Sequence, residues 1–165
     1  MRSLLFIMLW LFTSLLTSLI YSPLYAATEI QWWHSMEGEL GRTLEALVAK
    51  YNASQAAYKV VPTYRGNYTE NLNAAIAAYR AKKQPHLVQV FEVGTQTMMN
   101  SGTVYPVQDL LTDHKINVNW DDFLPAVLSY YRDAHGKLLS MPFNSSTPVM
   151  FYNLDMFQKA GIKNP

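Results

Sequence analysis

The 165-residue chain contains no cysteine, and Lys, Arg, Asp and Glu make up only 15% of it. Without thiols, disulfide staples, thiolate metal sites and cysteine nucleophiles are excluded, so the fold must rest on its core. The four histidines, His34, His86, His114 and His135, are scattered and show no metal-ligand spacing. No Gly-x-Ser-x-Gly elbow and no phosphate-loop pattern occurs. A formal net charge of +1 gives no bulk field to draw in nucleic acid or an anionic membrane. These absences favour a binding protein over an enzyme.

The one long apolar run lies at the start. Arg2 precedes Leu4 to Ile20, which is interrupted only by Ser and Thr, and Pro23 then breaks any helix before Ala26-Ala27. This pattern is that of a secretory signal peptide over residues 1–26, cleaved after Ala26. An uncleaved anchor is the alternative, since the run approaches the ~18 residues of a spanning helix. Cleavage leaves residues 27–165 as the mature part and removes one charge, Arg2, bringing the formal charge from +1 to zero.

Beyond the leader the hydrophobic period alternates. Thr28 to His34 (TEIQWWH) has the length and composition of a strand. From Glu37, residues Leu40, Leu44, Leu47, Val48 and Tyr51 fall on one helix face, which Asn52-Ala53-Ser54 ends. Tyr58 to Tyr64 (YKVVPTY) forms a second strand, and Asn67 with Glu70 has capping-box spacing. The helix that follows should bury Leu72, Ile76 and Tyr79, close at Lys82–Pro85 and lead to a third strand, Leu87 to Val93. This order predicts an α/β fold with βαβ units around a mainly parallel sheet flanked by helices. Later segments suggest helices at Thr95–Asn100, Val107–Asp113 and Asp121–Arg132, then strands at Leu138–Phe143 and Val149–Tyr152.

Ligands of open α/β sheets bind beyond the carboxyl ends of the strands. The loops there are His34–Gly38, Arg65–Tyr68 and Glu92–Thr95, joined by Asn144–Ser146 after a later strand. Tyr68 would take the first helical position after Asn67. That terminus either attracts an anion or is satisfied by Asn67 alone. Glu92, ending an apolar strand, reads as a general base, as an acceptor for ligand hydroxyls, or as a solvated strand end. No second carboxylate is spaced to partner it as in a glycosidase.

Four ordered segments carry a resemblance: WHSMEGELG (33–41), VPTYRGNY (61–68), QVFEVGTQTMM (89–99) and PFNSSTPVMFYN (142–153). They resemble the periplasmic sn-glycerol-3-phosphate-binding proteins of bacterial ABC importers. The tail YNLDMFQKAG (152–161) is similar to the wider family of extracellular solute-binding proteins for sugars. The resemblance implies two α/β lobes closing on ligand across a hinge, with this chain as the N-terminal part, truncated before the second lobe is complete. It implies a monomeric, non-catalytic periplasmic protein that binds sn-glycerol 3-phosphate and glycerophosphodiesters such as glycerophosphocholine. No cofactor is implied, and the partner is an inner-membrane ABC permease and ATPase complex. By motif, the ligand-binding residues are Tyr68, Glu92 and Ser146, with further phosphate ligands, including an arginine, on the second lobe. A carboxylate repels phosphate, so Glu92 is assigned to glycerol hydroxyls and the hydroxyls of Tyr68 and Ser146 to phosphate oxygens. The rivals are a binder of another sugar or a neutral oligosaccharide with the same fold, and a periplasmic phosphodiesterase using Glu92 as base.

Overall fold

The computed structural model describes residues 26–163, so the proposed leader through Tyr25 lies outside the described residues. The chain divides into two compact units, one reaching to Thr95 and one starting at Gln96.

The first unit is built on a three-stranded parallel sheet in the order β2-β1-β3, from β1 (Thr28–His34), β2 (Tyr58–Tyr64) and β3 (Leu87–Val88). Its helices α1 (Gly38–Ser54) and α2 (Tyr68–Arg80) are the crossovers between the strands. β1 pairs along its whole length with β2, from Thr28 opposite Tyr58 to His34 opposite Tyr64. The α/β class with a parallel sheet flanked by helices is therefore the one expected from the alternating periodicity.

β2 is an edge strand, and side-chain amides from the end of α1 take up the outward groups of Tyr58 and Val60. Asn52, near the end of α1, donates to the Val60 carbonyl at 2.9 Å and accepts from the Val60 N–H at 2.8 Å. Gln55 does the same for Tyr58, at 2.6 Å and 2.8 Å. Pro62, next in the alternation, has no N–H to leave unpaired. Two amides and a proline thus close the edge to further strands.

The same bonds correct the expected helix face. α1 buries Leu44 and Val48 against Met36, Trp32 and Val60, but Leu40, Leu47 and Tyr51 are exposed. Asn52 must face Val60, which turns the helix so that these three flank the contact. α2 shows a similar shift. The Asn67–Glu70 capping box forms as expected, yet Asn71 and Ala75 are the buried residues, Leu72 and Ile76 are half-buried and Tyr79 is exposed. Asn71 is drawn inward because its amide donates to the Gln89 carbonyl at 2.9 Å.

The third strand is shorter than its apolar run suggested. Its ladder extends past Val88 only through the Gln89 N–H, which donates to Trp33 at 2.9 Å. Phe91 then accepts from the N–H groups of Gly94 and Thr95, both at 3.0 Å, and α3 runs from Glu92 to Asn100. The expected strand over 89–93 gives way to a turn and a helix start.

In the second unit α4 (Val107–Asp113) has its expected bounds. The single helix expected at Asp121–Arg132 is instead a 3-10 turn (Trp120–Asp122) and α5 (Pro125–Tyr130), because Pro125 can open a helix but not continue one. The expected strands at 138–143 and 149–152 do not form. Leu138 is fully buried and bridges Arg132, and the chain from 141 to 153 then has no regular structure. Pro142 and Pro148 each remove a ladder donor there. A last helix, α6 (Leu154–Lys159), is capped by the Asn153 side chain, which accepts from Met156 at 3.1 Å.

Asn52→Ala would strip partners from both Val60 backbone groups and should lower stability by about 2 kcal/mol. Denaturant unfolding checks the loss, and faster amide exchange at Val60 localises it.

Candidate ligand-binding site

The parallel order brings the carboxyl ends of β1, β2 and β3 to one end of the first unit. Three turns meet there, at His34–Glu37, Arg65–Tyr68 and Gln89–Glu92. The Arg65 N–H donates to the His34 carbonyl at 3.0 Å and ties the first turn to the second. The Ser35 N–H donates to Gln89 Oε1 at 2.9 Å and ties the first to the third.

His34 is 4% exposed, and its Nδ1 accepts from the Met36 N–H at 3.2 Å. That bond assigns the ring proton to Nε2. Burial pushes its pKa below the ordinary histidine value, outweighing the Glu45 carboxylate, which acts the other way. The Tyr64 hydroxyl donates to Glu37 Oε2 at 3.0 Å, which raises the phenol's pKa. The Arg65 guanidinium lies 4.0 Å from the centre of the Trp33 ring, a cation–π contact.

Gly66 has φ +81°, and a Cβ there would run into the Glu70 carboxylate. Only glycine combines that turn with the capping box, in which Glu70 accepts from the Asn67 N–H at 2.8 Å and Asn67 accepts from Glu70 at 3.0 Å. The N-terminus of α2 is thus capped by its own residues, and a carboxylate already occupies the place where an anion would be attracted. Tyr68 is the first residue of that helix, as expected. Its half-buried ring stacks on Phe91, with centroids 5.5 Å apart and planes 11° from parallel.

Glu92 follows Phe91 directly, so the stacked pair brings Tyr68 and Glu92 to the same end of the sheet. The expected setting of Glu92 is corrected. It opens α3 rather than ending a strand, and its side chain is exposed. A carboxylate in a first helical turn interacts favourably with the helix dipole and needs no buried counter-charge. Ser146 belongs to the second unit, exposed within the irregular stretch 141–153. The turn expected between two strands is therefore a longer irregular segment.

Sequence reasoning missed Gln89, Asn71 and the Arg65–Trp33 pair. For Gln89 a signal existed, since it is the one polar residue within LVQVF (87–91). Among the described residues no group of His, Cys, Asp or Glu is placed to hold a metal ion, and no helix is long and apolar enough to cross a membrane. What the described end offers is hydroxyl, amide and carboxylate groups on fixed turns, suited to hydrogen-bonding a small polar molecule.

The model of the bacterial extracellular solute-binding protein family matches residues 46–165. The chain is 51% identical over 138 residues to the sn-glycerol-3-phosphate-binding periplasmic proteins UgpB of Escherichia coli K12, Shigella dysenteriae and Salmonella typhimurium. Each alignment covers 83% of this chain and 32% of the relative. The chain spans about a third of the length of these relatives.

His34 supplies a pH test. Its folded-state pKa is lowered, so between the unfolded and folded values the unfolded chain holds more protons and stability rises with pH. The stability from a neutral His34 is present above the unfolded value and is lost as the pH falls toward the folded one. Unfolding midpoints should drop as the pH falls below the ordinary histidine value of about 6.5. His34→Asn, which keeps an acceptor but does not titrate, should flatten that dependence.

Proposed function

This chain belongs to the bacterial extracellular solute-binding protein family, and on that premise we propose that it forms part of a periplasmic protein capturing sn-glycerol 3-phosphate for an ABC importer. The observation that carries the reading is the 51% identity to relatives named for binding that ligand. Support comes from the placement of Tyr68 and Glu92 at the carboxyl end of a parallel sheet, coupled through Phe91. Residues 1–26 act as the export signal. The protein works as a monomer without catalysis and passes its ligand to a membrane permease driven by an ATPase. Glycerophosphodiesters such as glycerophosphocholine are second ligands, because they keep both the phosphate and the glycerol hydroxyls.

In this reading the two ends of the ligand are held by different groups. The exposed Glu92 carboxylate accepts from the glycerol hydroxyls and disfavours phosphate in its own place. Tyr68 and Ser146 donate hydroxyls to phosphate oxygens and add no charge.

Glu92→Gln and Ser146→Ala should therefore fail differently in the protein at its natural full length. A hydrogen bond to a charged group contributes about 1.5–3 kcal/mol, so Glu92→Gln should weaken sn-glycerol 3-phosphate by roughly tenfold or more. Inorganic phosphate should compete no worse against that variant. Ser146→Ala should weaken every phosphate-bearing ligand together. Titration calorimetry with both ligands decides. Unchanged sn-glycerol 3-phosphate binding in Glu92→Gln would overturn the assignment, and displacement by maltose but not by phosphate would make the protein a sugar binder.

A further inference from the structure

Gln89 is 7% exposed and lies in an otherwise apolar run, where a side-chain amide is unfavourable unless bonded. Its bonds reach three different segments. The Gln89 N–H donates to the Trp33 carbonyl of β1 at 2.9 Å. Its carbonyl accepts from Asn71 Nδ2 on α2 at 2.9 Å. Its Oε1 accepts from the N–H of Ser35, in the turn after β1, at 2.9 Å.

Two oxygens in this network, Ser35 Oγ and Asn71 Oδ1, are buried without a hydrogen-bond partner among the described residues. A buried polar group without a partner is unfavourable, whereas apolar residues filling the same space would be nearly neutral. The network therefore has a stability disadvantage, and its geometry is what it provides. Asn71 is one turn of α2 beyond Tyr68, and Glu92 is three residues beyond Gln89. The Tyr68–Phe91 stack closes the same loop from the outside.

We infer that Gln89 is a positioning residue of the ligand site, fixing the Ser35 turn, the start of α2 and the Glu92 turn relative to one another. Buried beneath these turns, it acts through Tyr68 and Glu92. The inference rests on the reading that those two residues bind the ligand.

The test uses the protein at its natural full length. Gln89→Met keeps the side-chain length and removes the acceptor. It should speed exchange of the Ser35 amide by about tenfold, the loss of one net hydrogen bond. Val60, whose N–H goes to Asn52, should keep its exchange rate. Affinity for sn-glycerol 3-phosphate, which uses both Glu92 and Tyr68, should fall by a similar factor, while affinity for inorganic phosphate, which uses Tyr68 but not Glu92, should fall less. Gln89→Glu retains Oε1 and should restore Ser35 protection. Asn71→Leu, which releases only the α2 tether, should weaken both ligands through Tyr68 and serves if Gln89→Met does not fold. Unchanged Ser35 exchange in Gln89→Met, or unchanged affinity for sn-glycerol 3-phosphate, would overturn the inference. Wild-type protein that binds no sn-glycerol 3-phosphate overturns the proposed function instead. The exchange comparison then decides by itself whether the Gln89 side chain holds the Ser35 turn.

Discussion

Hydrogen bonding of β1 on both of its edges is the constraint from which the first unit follows. A central strand flanked in parallel by β2 and β3 requires each connection to cross over and return, and α1 and α2 are those crossovers. All three strands then end on the same side. The turns that follow them are gathered there by topology, whatever their sequences. Only afterwards do the particular residues of those turns matter.

Much of the adjustment in this unit is made by side-chain amides. Asn52 and Gln55 satisfy the outer edge of β2, Asn71 and Gln89 join α2 to the third strand, and Asn67 caps α2. With a charged fraction of 15% and only three ion pairs between described residues, none deeply buried, neutral amides are the main polar means of fixing geometry. They impose direction without the desolvation penalty of a buried charge. They also set helix rotation, which explains why Leu40, Leu47 and Tyr51 stay exposed while Leu44 and Val48 are buried.

The legible parts of the fold were those decided locally. Strands β1 and β2 kept their expected bounds, α2 began at its capping box, and α4 matched its expected span. The misread parts depended on partners distant in sequence. The run 87–93 has strand composition, yet Asn71 takes the Gln89 carbonyl and the chain turns into α3. The apolar runs at 138–143 and 149–152 find no described strand to pair with, and two prolines lie among them. For the site, Tyr68 was readable because a cap fixed its position. Glu92 was read at the right end of the sheet in the wrong local structure. Gln89 was hidden because its role lies in contacts with residues 18 and 54 positions away.

In the proposed function, ligand meets the carboxyl end of this sheet. Amide chemical shifts followed during titration of the natural full-length protein with sn-glycerol 3-phosphate test it most directly. Saturable shifts are expected at Ser35, Tyr68 and Glu92, with Glu29 and Tyr58 at the opposite end unmoved. Shifts confined to that opposite end, or none at saturating ligand, would contradict it.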